Sequence, residues 1–293
     1  MNAFSGSLLP FFGTVCVSGE DRHVFLHNQL SNDINHLAEN QACYATYNTP
    51  KGRVLANMVV LNRGDDLLLI MAKDLIEAMI KRLKMYVLRS KVVLTADSDT
   101  AVAGEWVGNK IADLPDTPAL VLPVEYRHAV WRIALPHGGT MLAGAAADLP
   151  DFDESAEKAW QLHELQCGYA WISAATTETC VAQMLNQHLI GGVHFRKGCY
   201  PGQEIIARAQ YRGQVKRGLV LLNASSALAA GETVWNGGGE EVGLLINCVN
   251  VGGDNQALAV IKFTAAAQGL HTKSGINLQI QHLFFHKEAA GEA

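Results

Sequence analysis

The longest apolar runs in this 293-residue chain are only as long as β-strands, and that limits its architecture more than any other feature. Met58-Val59-Val60-Leu61 and Leu67-Leu68-Leu69-Ile70-Met71-Ala72 fall far short of the roughly 20 apolar residues that a membrane-spanning helix needs. Both runs lie in segments, 54–62 and 66–72, that flank Arg63-Gly64-Asp65. Gly and Asp at that point favour a turn, so the pattern predicts a hairpin.

The rest of the first two-thirds alternates between strand and helix patterns. Residues 14–19, 44–47 and 91–94 read as strands. Helices are predicted over 20–30, with Val24, Phe25 and Leu30 on one side, and over 75–86, where Leu75, Met79, Leu83 and Tyr86 recur at three- and four-residue steps. A third covers 155–168, with Ala156, Ala159, Trp160 and Leu162 toward one face and Gly168 as its stop. Residues 101–150 show a weaker alternation of short strands and turns, and 179–189 has helical character. From Gly218 onward, short β-rich runs are broken by Gly/Asn clusters such as Asn236-Gly237-Gly238-Gly239, as in a small barrel or sandwich. Residues 287–293 read as a frayed tail. The chain is long for a single core, so two or three lobes are expected: an α+β class, with a region over 1–215 and a C-terminal barrel over 216–293.

A formal net charge of -5 argues against a broad nucleic-acid surface, which needs a basic excess. The start, Met1-Asn2-Ala3-Phe4, lacks the basic lead and long apolar stretch of a signal peptide, so a cytoplasmic location is expected. Six cysteines are scattered with no C-x-x-C, which fits free thiols in a reducing compartment and no permanently bound metal or cluster. His23 and His27 are four apart with no Glu between them, and read as surface or capping residues. There is no G-x-S-x-G, P-loop or dinucleotide fingerprint.

The least ordinary block runs from Gly191 to Gly218. Within it, Lys197-Gly198-Cys199-Tyr200-Pro201-Gly202-Gln203-Glu204 surrounds one cysteine with turn formers. Gly198 and Pro201-Gly202 imply a sharply bent backbone that sets the thiol at a loop tip or a helix start. A helix beginning here would carry Glu204 in its first turn, where a carboxylate complements the dipole. Arg196 and Lys197 would favour the thiolate, the nucleophilic and metal-binding form. The alternative is a small buried Cys199 on a merely structural turn. The other five cysteines read as core.

These residues closely resemble the signature of the YgfZ family. Ile190-Gly191-Gly192-Val193-His194-Phe195 precedes the cysteine segment and Ala207-Arg208-Ala209-Gln210-Tyr211-Arg212-Gly213 follows it, as in that family. Phe25-Leu26-His27-Asn28-Gln29-Leu30-Ser31-Asn32-Asp33, Thr49-Pro50-Lys51-Gly52-Arg53, Leu88-Arg89-Ser90-Lys91-Val92 and Ala257-Leu258-Ala259-Val260 resemble further family segments in the same order. Asn28 and Ala182 depart from the usual glycine and proline, while Gln183 is retained. The family belongs to the superfamily of the glycine-cleavage T-protein, and its mitochondrial members act in the maturation of iron–sulfur proteins.

The resemblance implies a three-lobed T-protein-like fold: two α+β lobes around a central folate pocket, and a small β-barrel. It implies a tetrahydrofolate-type cofactor, Cys199 as the functional thiol, and client iron–sulfur proteins or assembly factors as partners. Modification of tRNA would be affected indirectly, through clients that carry clusters. A folate's anionic tail suits Arg208 or Arg212, and its rings suit a slot lined by Tyr86 and Trp171. The T-protein's aminomethyl transfer uses a buried aspartate, but the matching pair here is Ala56-Asn57, and an amide supplies neither proton acceptor nor charge. A T-protein-like one-carbon transferase and a non-catalytic folate-binding scaffold are the alternatives.

Overall fold

The computed structural model describes residues 5–106, 111–213 and 215–285. Met1-Asn2-Ala3-Phe4 and the tail expected at 287–293 lie outside the described residues. In chain order the first elements are β1 (Ser5–Leu8), β2 (Phe12–Ser18), α1 (Arg22–Gln29), β3 (Gln41–Asn48), β4 (Val54–Asn62), β5 (Leu67–Ala72), α2 (Ile76–Lys84) and β6 (Val93–Asp97). Then come β7 (Ala101–Trp106), β8 (Leu122–Arg127), β9 (Val130–Ala134), β10 (Thr140–Gly144), α3 (Glu154–Gln166) and α4 (Gln203–Tyr211). The last strands are β11 (Arg217–Ala224), β12 (Thr233–Asn236), β13 (Glu241–Val251), β14 (Asp254–Lys262), β15 (Leu270–Thr272) and β16 (Asn277–Leu283).

The first ten strands join in the order β1-β7-β10-β9-β8-β3-β4-β5-β2-β6. Every neighbouring pair in that order is antiparallel. Two five-stranded blocks meet at a seam of two residue pairs, Gln41↔Pro123 and Ala42↔Leu122. The predicted hairpin is β4–β5, and β4 is buried along its whole length. Alternate side chains serve opposite faces: Met58 and Val60 enter one core cluster, Val59 and Leu61 another. Both faces are covered, which is why the runs are apolar without alternation. The last six strands close into a barrel, β11-β14-β13-β12-β15-β16, around Val220, Leu222, Leu245 and Ala259. Residues 237–239 form part of the β12–β13 connection.

Helix α3 begins where Asp153 accepts the Ala156 N–H at 2.7 Å, a side-chain N-cap. Its predicted stop holds: Gly168 takes φ +73° and a Cβ there would meet the Phe284 ring at 2.8 Å. Three expectations need correction. Val24 faces solvent on α1, while Phe25, Leu26 and Leu30 are buried. Tyr86 is exposed because α2 ends at Lys84, which leaves Leu75, Met79 and Leu83 as the buried stripe. The helical character of 179–189 reduces to a short 3-10 turn, Ala182–Leu185, stopped by Asn186 in the left-handed region at φ +54°.

Candidate functional site

Three segments meet around Cys199: the end of α1 and the turn at 49–53, both distant in sequence, and α4, which follows the cysteine turn directly. The first is the end of α1, which leaves backbone carbonyls without helical partners. Lys197 fills that need: its Nζ donates to Leu30 O at 2.6 Å and to His27 O. A cation at a helix C-terminus also complements the dipole. The residues just after α1 are tied to the glycines before the cysteine. Ser31 Oγ donates to Gly192 O at 2.5 Å, Asn32 Nδ2 donates to Gly191 O at 2.9 Å, and the His194 N–H donates to Ser31 O at 2.9 Å.

The second segment is the turn Thr49-Pro50-Lys51-Gly52-Arg53. Gly52 and Gly202 both have positive φ, +72° and +81°, and lie back to back. A Cβ on Gly202 would stand 2.6 Å from Thr49 O and 2.8 Å from Gly52 Cα; one on Gly52 would stand 2.8 Å from Ile205 Cβ. Only glycine permits this approach at either position. The third segment is α4, where Glu204 lies in the first turn and Gln183 Nε2 donates to Ile206 O at 2.7 Å.

Cys199 itself is exposed, alone among the six cysteines. Cys43, Cys167 and Cys180 are buried, and Cys16 and Cys248 half-buried. Burial raises the thiols of Cys16 and Cys180 and pushes Cys43 and Cys248 up to about 12. Lys197 turns its ammonium inward. It is 9% exposed, its charge lies 4.8 Å from the Tyr200 ring centroid, and burial brings its pKa down to about 8. Lys197 therefore anchors the cysteine turn, while Arg196 is exposed. His27 is not a surface residue: it is buried, and its Nδ1 lies 3.1 Å from Asp33 Oδ1. Burial and the Lys197 charge hold the His27 ring below its usual pKa, against the pull of Asp33. For Asp33, burial works upward, but the hydrogen bonds from His36 outweigh it and the carboxyl ends lower than usual.

The four residues assigned to folate do not share one place. Trp171 lines a cavity of about 140 Å³ with Phe11, Gln161, Glu164, Tyr169 and Asn247. Tyr86 lines a separate groove against α1. Arg208 and Arg212 are exposed on and just after α4 and line neither. The cavity contains a group the sequence reading missed. Glu164 is buried, its Oε1 accepts the Trp171 indole N–H at 2.9 Å, and burial pushes its carboxyl up to about 8. It is a neutral acid at pH 7, able both to accept and to donate. Its signal was available: Glu164 lies four residues after Trp160, on the inward face of α3.

Asn57, buried on β4, uses both ends of its amide. Nδ2 donates to Ala170 O at 2.8 Å, and Oδ1 accepts the Ile172 N–H at 2.8 Å. A carboxylate could make only the second bond. Among the described residues, no group of three or more His, Cys, Asp or Glu side chains is arranged to hold a metal ion. No described helix is long and apolar enough to cross a membrane.

No family model matches the chain. It is similar to the tRNA-modifying protein YgfZ of Photorhabdus laumondii, with 28% identity over 283 residues, 88% of this chain and 86% of the relative. The tRNA-modifying protein YgfZ of Yersinia pseudotuberculosis is 31% identical over 242 residues, 76% of this chain and 73% of the relative. Among solved structures, the glycine cleavage system aminomethyltransferase T from Bartonella henselae superposes with a TM-score of 0.69 over 98% of this chain and 88% of that chain, at 13% identity. The architecture is thus that of the T-protein fold.

Proposed function

The chain belongs to the family of the tRNA-modifying protein YgfZ, and from that premise we propose that it binds a reduced folate in the cytoplasm and works through Cys199 to support assembly or repair of iron–sulfur clusters in client enzymes. Effects on tRNA modification then follow through clients that carry clusters. One observation carries the reading. The only exposed thiol sits on a turn that the buried Lys197 and the Gly52–Gly202 contact hold in place. A thiol held this way is available to a partner without reorganisation of the chain.

The cavity beside Trp171 fits the head of a folate in chemistry. The neutral Glu164 offers a hydrogen-bond edge to a pterin, and Phe11, Tyr169 and Trp171 offer apolar walls. Its volume suits a bicyclic ring, and the tail would lie outside. When bound, a reduced folate supplies a carrier for one-carbon units. The aminomethyl-transfer alternative is disfavoured by Asn57, whose amide is committed to the backbone of residues 170 and 172.

The test has two arms. The purified chain is titrated with tetrahydrofolate while tryptophan fluorescence is followed, and saturation below millimolar is expected, weakened tenfold or more in Glu164→Ala. Absence of saturation at millimolar ligand overturns the folate half. In cells lacking the chain, Cys199→Ala is expected to bind folate normally yet fail to restore iron–sulfur enzyme activity. Full restoration overturns the thiol half and leaves the non-catalytic scaffold.

A further inference from the structure

The segment between α2 and β6 is firmly anchored, yet it displays apolar side chains to solvent. The Tyr86 N–H donates to Leu83 O at 2.9 Å, and the Ser90 N–H to Val87 O at 2.7 Å. The Lys91 N–H donates to the Asp21 carboxylate at 2.7 Å. Gly19, at φ +103°, lies so close under Lys91 that any Cβ would run into its carbonyl oxygen. Between these anchors Leu88 is held at φ +46° and is 88% exposed. The left-handed region is unfavourable for a residue with a Cβ, and burial of this side chain returns nothing. Stability of the isolated chain does not account for it.

Leu88 has company. Val24, Tyr86 and Leu88, all exposed, line a groove of about 830 Å³ between α1 and residues 86–90, and the exposed Met85 adjoins it. Exposed apolar side chains gathered in one place mark an interaction surface; scattered ones do not. Arg89 lines the groove, and Lys84, two residues before Tyr86, is exposed; among the described residues neither has a carboxylate within ion-pair distance. Nearby Lys91, in contrast, is paired with Glu20 at 2.7 Å. Gln29 Oε1, in the groove wall, is buried without a partner. The floor is α1, the helix whose end carries Lys197 and the cysteine turn. The one carboxylate in the lining, Asp21, is engaged by the Lys91 N–H, so apolar side chains beside the unpaired Arg89 suit a protein with an apolar anchor and acidic flanks. A nucleic-acid strand would call for stacking rings and more cations.

We propose that this groove is the docking site for a protein partner, one that inserts an apolar side chain beside Leu88 and sets acidic residues against Lys84 and Arg89. It rests on the reading that the chain acts on other proteins, and it places the partner on the helix that holds Cys199.

The experiment places a photoactivatable cross-linking residue at position 88 of the full chain in cells, with the exposed position 126 as control. A protein recovered from position 88 and not from 126 is then purified and titrated against the purified chain. Binding is expected to weaken tenfold or more in Leu88→Asp and in Lys84→Glu/Arg89→Glu, and to be unchanged in Tyr126→Asp. Leu88→Gly, which relieves the backbone and preserves the fold, is expected to weaken it as well. Equal binding by the Leu88 variants, recovery of no protein, or recovery of RNA alone overturns the proposal. If Leu88→Asp restores iron–sulfur enzyme activity and Cys199→Ala does not, docking fails and the proposed function stands. If both variants restore it, both fail.

Discussion

Cys199 differs from the other thiols by position more than by any special partner. Exposure alone separates it from Cys43, Cys167 and Cys180, which are buried. A limiting alkylating reagent at pH 8 should therefore label Cys199 at least tenfold faster than Cys43 or Cys180, read by peptide mass mapping; comparable rates would remove the basis for its assignment. Cys199→Ser should shift stability by no more than about 0.5 kcal/mol, as for other surface changes. Glu164 makes a pH prediction. The folded chain holds its proton up to about pH 8, whereas the ordinary value is 4.5. Between those values the folded state binds more protons than the unfolded one, so stability falls as pH rises through that window. Denaturant midpoints of Glu164→Gln should be flatter from pH 5 to pH 8 than those of the parent; parallel profiles would contradict a buried neutral acid. The sequence made Cys199 legible through its glycine and proline neighbours. It did not make Lys197 legible, because spacing along a chain does not reveal which way a side chain turns. The lysine adjacent in sequence to the thiol is committed to carbonyls some 170 positions earlier.

Elements with a clean period were read well, and their ends less so. The β4–β5 hairpin and α3 appear where the pattern put them, because a buried face demands apolar residues at fixed steps. Residues 179–189 misled, since local helical preference there yields to Asn186 and to the contact of Gln183 with α4. The turn at 49–53 and the start of α4 were each legible alone, but not their contact, which depends on two glycines 150 positions apart. That contact is testable. Gly202→Ala adds a methyl group at φ +81° against Thr49 O, and should cost about 2–4 kcal/mol in chemical denaturation. It should also reduce restoration of iron–sulfur enzyme activity with Cys199 intact. A change below about 0.5 kcal/mol would mean the two turns are not held together as described.

The whole molecule is joined through a short extended segment after α3. Asn57 of β4 grips the backbone of Ala170 and Ile172, and Asn247 of β13 grips Trp171 between them, accepting its N–H at 2.8 Å and donating to its carbonyl at 2.9 Å. Sheet and barrel are thus clasped to one strip of chain that also supplies a wall of the Glu164 cavity. Asn247→Leu should lower stability by about 1–3 kcal/mol, from backbone groups left unpaired. It should also weaken tetrahydrofolate binding; unchanged affinity would separate the clasp from the cavity. Nothing in the periodicity of 170–172 announces this clasp. The strand order carries one more consequence, for the chain as it leaves the ribosome. Strands β2 to β6 span residues 12–97 and pair among themselves, so that block can close early. Strand β1 is made before all of them, yet its partner is β7, at 101–106. Strand β1 therefore waits, edge open, while the β2–β6 block can already pair, until β7 follows it.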